Sequence, residues 1–460
     1  MTRTISSAAR FALGGLGIFL ALANSLLAQN AATHAPLPNP RRPSIILIVA
    51  DGLGYGDLGC YGQSRVKTPN LDRMAAEGVR FTSYYAGSPT TATAQAALLL
   101  GRDSGHLGIQ DDSAPTLPLG APTIAEVLKE AGYHTGCIGI WGLGGEGSVN
   151  VPPKRGFTEW VGLLTAAEAQ TDFPEYLWRF DPPGEGKPGY DGKLEFPTNA
   201  RGAKSKSASD LFTKAAANFI QINKPTSFNR YRPFFLQLNY ALPRVTNLDS
   251  AEPYELAPWP RAEKFKAAAI TRFDAHLGKI LDAIKAAKQE SNTLVFVTST
   301  TGPSAAAGAD PKYHRSYAPF SAGNLREGEI RVPLLVWGPP KVKAGEENYQ
   351  PCAAWDILPT FAEIARAVTP ERADGLSFWQ PLQGRPQLRR HEYLYWQSPG
   401  TNGLMEAVRL GDWKAVRAKP GAPLELYSLT ADRAEATDFA AKNPEVIAQI
   451  EAHLKSRRQP

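Results

Sequence analysis

A chain of 460 residues, 43% hydrophobic and 20% charged, has the make-up of an ordinary globular protein with room for one large domain and a smaller one, which excludes disordered and fibrous classes. Its formal charge is +6, from 50 basic and 44 acidic residues, a surplus that tolerates a polyanionic partner without marking one, and no nucleic-acid partner is expected. The three cysteines, Cys60, Cys137 and Cys352, are too few and odd in number for a disulfide framework and are expected as buried thiols.

Arg3 and Arg10 precede the apolar run Phe11–Leu27, with Ala23, Ser25 and Ala28 near its end, the pattern of a secretory signal over residues 1–28. Cleavage would leave a charge of 6 − 2 = +4 on an exported chain, periplasmic or extracellular. The competing reading is a retained anchor, because the run approaches the roughly 20 apolar residues a spanning helix needs. Gly14, Gly15, Gly17, Asn24 and Ser25 interrupt it, so no stable membrane insertion is expected after cleavage.

Ile45–Ala50 is apolar without alternation and ends at Asp51, which predicts a buried parallel strand delivering an acid to the carboxyl edge of a sheet, where open α/β sheets keep their sites. Helical spacing follows at Asn70–Glu77, Ala92–Leu100 and about Thr123–Lys129, then a strand at Thr135–Ile140. Residues 164–206 are rich in Gly, Pro and Lys, without periodicity, and predict an extended surface insertion around Tyr176 and Trp178. Beyond it come a helix at Ala208–Ile222, a strand at Pro233–Tyr240, a long helix at Ala262–Lys288, buried strands at Thr293–Val297 and Val332–Trp337, and a helix starting at Asp356. These elements predict an α/β fold, a doubly wound, mostly parallel sheet flanked by helices over 43–385. Short strands at Glu392–Gln397, Ala407–Leu410, Trp413–Val416 and Leu424–Tyr427, then a helix at Pro444–Lys455, predict a small C-terminal antiparallel sheet with one helix over 386–460. Gly54-x-Gly56-x-x-Gly59 and Gly142-x-Gly144-x-x-Gly147 imitate a dinucleotide fingerprint, but neither opens directly into a helix.

The stretch from Pro43 to Arg102, with Asp51, Gly54-Tyr-Gly-Asp57, Thr68-Pro-Asn-Leu-Asp72 and Tyr85 to Arg102, resembles the opening of a sulfatase of the alkaline phosphatase superfamily, of the arylsulfatase and N-acetylgalactosamine-6-sulfatase type. Glu327-Gly-Glu-Ile-Arg-Val-Pro333, Gly411-Asp-Trp-Lys414 and Glu425-Leu-Tyr427 extend the resemblance to the C-terminal region. It implies an enzyme that attacks sulfate esters with formylglycine, made from Cys or Ser, on a Ca²⁺ held by three Asp and an Asn, with Lys and His neutralising the sulfate. The chemistry is sound: a hard cation takes several oxygen ligands, and charge developing on a leaving oxygen needs donors nearby.

Position by position, the resemblance places the formylglycine signature Cys-x-Pro-Ser-Arg on Thr91-Ala-Thr-Ala-Gln95. The metal pair falls on Asp51 and Gly52, and the later Asp-Asn on Thr300 and Thr301. Asp51 is the sole retained metal-ligand position, so the family Ca²⁺ is not expected to bind and no cofactor is expected. Gly-Lys-Trp-His falls on Gly139-Ile-Trp-Gly142, Pro-His on Pro243-Arg244, and residues 315–326 hold no Lys. Thr91 cannot become formylglycine. The expectation is a pseudosulfatase with a retained scaffold and a dismantled site, which binds sulfated carbohydrate. Arg102, His106 and Arg244 are the candidate anion-binding side chains. The alternative is a sulfuric or phosphoric ester hydrolase with a non-standard site, in which Thr91 attacks; such a hydroxyl needs a metal or a base, and zinc would need His and Asp ligands. Blander readings make Thr91 the N-cap of the helix that follows, Arg102 a helix-dipole partner and His106 a solvated loop residue.

Overall fold

A computed structural model describes residues 41–108, 117–184, 188–225, 232–241, 249–303 and 308–457; the expected signal segment, Lys187 and Arg244 lie outside the described residues. Among them, ten strands form the central sheet: β1 Ser44–Asp51, β2 Val79–Phe81, β3 His134–Ile140, β4 Glu159–Leu163, β5 Tyr176–Asp181, β6 Tyr190–Glu195, β7 Phe234–Ala241, β8 Thr293–Ser299, β9 Leu334–Trp337 and β10 Glu346–Asn348. In space they run β10-β2-β9-β8-β1-β7-β3-β4-β5-β6. The middle of the sheet, β8, β1, β7, β3 and β4, is parallel throughout. Strand β9 joins β8 antiparallel, and the β5–β6 hairpin continues antiparallel from β4.

The unbroken apolar run of β1 follows from burial on both faces. Ile45, Leu47 and Val49 pack with helices α2 Thr91–Leu100, α3 Ile124–Glu130 and α6 Ile357–Ala365 on one side. Ile46, Ile48 and Ala50 pack with α1 Pro69–Ala76, α4 Ala208–Ile222 and α5 Arg261–Ala286 on the other. The result is the three-layer, doubly wound arrangement the alternation of strands and helices predicts. Strands β11 Tyr393–Gly400, β12 Gly403–Leu410, β13 Trp413–Arg417 and β14 Glu425–Ser428 then form an antiparallel meander. One face of it buries Ile450 and Leu454 of α7 Pro444–Arg457; the other packs Trp396, Val416 and Tyr427 against Tyr85, Ile330 and Trp355.

The insertion is not an irregular excursion: Tyr176–Asp181 and Tyr190–Glu195 pair as a hairpin that lengthens the sheet. Its outer strand is mostly exposed, so its polar residues show no alternation to read. Lys193 lies over the rings of Tyr176 and Trp178, 4.4 and 4.6 Å from their centroids. The three cysteines are free thiols, as expected, two of them buried.

The surviving sequence motifs hold backbone together. A β-carbon at Gly54 would stand 2.5 Å from the Ser316 carbonyl oxygen, and one at Gly56 would stand 2.2 Å from that of Arg315; only glycine permits this approach. Gly56 N–H donates to Ser316 O at 2.8 Å. The Asp72 carboxylate accepts from Cys60 N–H at 2.7 Å, and Asp274 accepts from Leu71 N–H at 2.8 Å. Arg331 donates through Nε to Thr82 O at 2.7 Å and through Nη1 to Glu327 at 2.9 Å. The glycines therefore serve packing, consistent with the dismissal of a dinucleotide site.

Candidate functional site

Strands β1, β3, β7 and β8 end at the same edge of the sheet, and a cleft of about 810 Å³ opens there, within the size range of small-molecule sites. Asp51 ends β1, Ile140 ends β3 and Gly142 follows it, Asn239 to Ala241 end β7, Thr300 follows β8, and Thr91 and Gln95 come from the first turns of α2. Ala166, Ala169 and Gln170 close one side.

The positions to which the resemblance assigns calcium and formylglycine meet, as chain topology requires. Asp51 Oδ1 accepts from Thr91 Oγ1 at 3.1 Å and from Thr300 Oγ1 at 2.9 Å, with Thr301 Oγ1 at 3.5 Å. One carboxylate thus stands among hydroxyls drawn from residues far apart in sequence. Thr300 is positioned by its N–H to Ala50 O at 3.3 Å, and Ser299 Oγ, accepting from Leu53 N–H at 3.0 Å, ties the β8 end to the β1 loop. This donor set does not fit Ca²⁺, which takes several anionic or carbonyl oxygens: one carboxylate and three neutral hydroxyls stand here. The N-cap reading of Thr91 needs correction. Thr90, extended at φ −104° and ψ 140°, is the cap residue and Thr91 is the first helical residue, so its hydroxyl is released from capping and turns to Asp51.

Among the described residues lining the cleft, Asp51 is the one charged side chain. Trp141, in the segment where the family carries Lys and His, is fully buried and donates Nε1–H to Asn150 O at 2.7 Å. Gln95, at the signature's Arg position, is 7% exposed, and its Nε2 has no hydrogen-bond partner among the described residues. Asn239 is held on both sides, its Nδ2 donating to Ile140 O at 3.0 Å and its Oδ1 accepting from Gln237 Nε2 at 3.2 Å.

Arg102 and His106 do not line the cleft. Arg102 N–H donates to Ala97 O at 3.3 Å, closing the end of α2 after Gly101. His106 Nδ1 is 2.8 Å from Asp374 Oδ1, and that hydrogen bond, against the effect of partial burial, raises its pKa. Arg457 bonds the neighbouring Asp103 carboxylate at 2.8 Å, so these side chains are paired with one another away from the cleft.

Sequence reasoning missed a second, buried group behind the cleft wall. Asp172, Ser209, Arg272 and His276 line a cavity of about 30 Å³ that shares Ile140, Ala169, Tyr240 and Ala241 with the main cleft. Burial, only partly offset by hydrogen bonds from Ser209 and by Arg272, raises the Asp172 pKa to about 6. Burial lowers that of His276 to about 4, against the opposing pull of Asp210. The only advance signal is the His276 spacing, which places it on the inner face of α5 with Ile280 and Phe273. Because the folded pKa of Asp172 lies above its unfolded value of about 3.9, its contribution to stability is present below about pH 4 and is lost as pH rises through 6. Asp172→Asn is therefore expected to raise the unfolding free energy at neutral pH by on the order of 2–3 kcal/mol, with the gain fading in acid. Thermal melts across pH check this; a gain constant with pH would refute it.

The comparisons with known proteins agree with this geometry. The family described as Sulfatase matches residues 43–367. The chain is 32% identical to N-acetylgalactosamine-6-sulfatase of Sus scrofa over 418 residues, covering 85% of this chain and 74% of that protein. It is 29% identical to arylsulfatase G of Rattus norvegicus, covering 90% and 84%. The solved structure of Ps i-CgsB in complex with k-i-k-neocarrahexaose superposes with a TM-score of 0.76 at 28% identity, covering 91% of this chain and 94% of that one. With a family match over most of the chain and a relative 32% identical across 85% of it, the chain belongs to the sulfatase family.

Proposed function

We propose that this chain is an exported, non-hydrolysing member of the sulfatase family that binds carbohydrate of the sulfated-glycan class on which its relatives' names place them, without calcium or formylglycine. One observation carries the reading: Asp51 stands among the hydroxyls of Thr91, Thr300 and Thr301 where the family's chemistry needs a cation and an activated aldehyde hydrate. Threonine offers no aldehyde, and a carboxylate repels the sulfate that a metal would attract. At 4 Å the repulsion is about 1 kcal/mol in water and about 4 kcal/mol at the effective dielectric near a protein surface. The Lys193 ammonium and the exposed Lys204 and Lys206 on the insertion support contact with a polyanionic chain outside the cleft. Export rests on the residues 1–28 pattern; none of the described helices is long and apolar enough to cross a membrane.

A second reading, hydrolysis at a rebuilt site, is favoured by one contact, the 3.1 Å bond from Thr91 Oγ1 to Asp51, which pairs a hydroxyl with a base. Turnover of aryl sulfate and aryl phosphate esters by the mature protein separates the two, with Ca²⁺, Mg²⁺, Mn²⁺ or Zn²⁺ added and Thr91→Ala as control. The expected result is no turnover above the control under any metal. Turnover abolished by Thr91→Ala would establish the hydrolase.

A further inference from the structure

We infer that β6, the outer strand of the β5–β6 hairpin, is a self-association edge that pairs antiparallel with β6 of a second copy of this chain, about a two-fold axis at Gly192. Strand β6 ends the order of the central sheet and, among the described residues, has one neighbour, β5. The two hold a single register from Tyr190 opposite Asp181 to Glu195 opposite Tyr176. Just beyond it, Phe196 N–H donates to Glu175 O at 2.7 Å. That bond sets the parity of the strand: even-numbered residues turn their peptide groups to β5, and Asp191, Lys193 and Glu195 turn theirs away from the sheet. The Tyr190 hydroxyl, from the same strand, reaches one of these outward groups, donating to Lys193 O at 2.7 Å. An exposed row of outward N–H and C=O groups is a template for another strand, and β6 is exposed at five of its six residues.

The side chains select the partner. About an axis at Gly192, Asp191 stands opposite the partner's Lys193 and Lys193 opposite the partner's Asp191, so one face carries two pairs of opposite charge. Lys193 is held on that face over the rings of Tyr176 and Trp178, which are fixed in turn by donating to Glu168 at 2.9 Å each. On the other face Tyr190 and Leu194, 42% and 38% exposed, stand opposite the partner's Leu194 and Tyr190, an aromatic and aliphatic pair made twice. Gly192 stands opposite the partner's Gly192 at a non-hydrogen-bonded position, where the two strands approach most closely. Other axes do less. About Lys193 the two lysines meet and Asp191 faces the partner's Glu195. About Leu194 the charges match, but the partner runs off the strand into Phe196 and Pro197, and proline has no N–H to donate. In the dimer the Tyr190 hydroxyl releases the Lys193 carbonyl to the ladder. Lys193 is engaged by the second copy in the dimer and open to a polyanion in the monomer, so the two contacts compete.

Sedimentation equilibrium of the mature protein is the test, with a melting curve for each variant to establish that it folds. A six-residue edge makes a small interface, so the expected result is a weak, reversible dimer with a Kd of roughly 10–300 μM. Lys193→Glu brings two acids face to face and Asp191→Lys brings two lysines face to face, and each is expected to weaken association about tenfold or more. An equimolar mixture of the two variants is expected to recover the parental association, because every cross-strand charge pair between unlike variants is again of opposite sign. A different interface has no reason to respond in this reciprocal way. A mature chain that stays monomeric up to about 0.5 mM overturns the inference, and so does a dimer that either variant leaves unchanged or that the mixture fails to recover.

Discussion

Lys414→Met is expected to destabilise the folded chain by about 3–5 kcal/mol, the usual consequence of removing one partner from a buried ion pair. Lys414 Nζ lies 3.1 Å from Glu327 Oε1 and 3.1 Å from Glu435 Oε1, and all three side chains are fully buried. Burial alone would raise the Glu327 pKa, but Lys414, Arg331 and Arg409 outweigh it and hold the group at about 2. Tyr85 Oη donates to Glu327 at 2.8 Å and Arg331 Nη1 donates to it at 2.9 Å. Glu435 moves the other way, raised by burial despite Lys414, so Glu327 is the more acidic of the two carboxyls. This cluster joins β13 of the small sheet to the turn before β9, so Gly411-Asp-Trp-Lys414 and the segment from Glu327 to Pro333 meet through it. Urea titration measures the loss, and a double variant with Glu435→Gln is expected to lose less than the sum of the singles, because the two sites share a partner. A loss of under about 1 kcal/mol would place Lys414 among ordinary surface-type ion pairs and sink the idea.

Strand β1 was legible because an apolar run that does not alternate has few explanations other than burial on both faces, and Asp51 followed from where such a run stops. The C-terminal meander was legible because turn residues separate its β-forming runs. The β5–β6 hairpin was not: Tyr190–Glu195 is polar, exposed and near the sheet edge, so nothing in its pattern distinguishes strand from loop. Short strands such as Val79–Phe81 owe their form to neighbours remote in sequence, Leu334–Val336 and Glu346–Asn348, which local reading cannot supply. In the cleft, sequence positions identified Thr91, Thr300, Thr301 and Asp51 separately; that the hydroxyls all turn to one carboxylate is a property of the fold. Threonine at the positions to which the resemblance assigns metal ligands and formylglycine was the available signal. Asp172 and His276 escaped notice because they come from a loop and a helix, 104 residues apart by number (276 − 172), with no spacing to connect them.

Restoring the acids is expected to restore calcium. A variant carrying Gly52→Asp, Thr300→Asp and Thr301→Asn returns the ligand types the family resemblance assigns, beside Asp51, at the ends of β1 and β8 where their backbone already converges. Without metal the new carboxylates face Asp51, and like charges at close range make this variant less stable than the parent chain. With Ca²⁺ at a hundredfold excess over its Kd, binding to the folded state alone returns about 2.7 kcal/mol, read as a rise in melting temperature that Mg²⁺, with its stricter octahedral demand, reproduces poorly. The parent chain is expected to show no Ca²⁺-dependent rise, since Thr91, Thr300 and Thr301 present neutral hydroxyls beside Asp51. An equal rise in the parent would mean that one carboxylate and neutral oxygens suffice at this edge, and the reading of the cleft as a metal-free sugar site would fall with it. A rise confined to the variant would show that the scaffold still holds the metal geometry and that the side chains alone took the chemistry away.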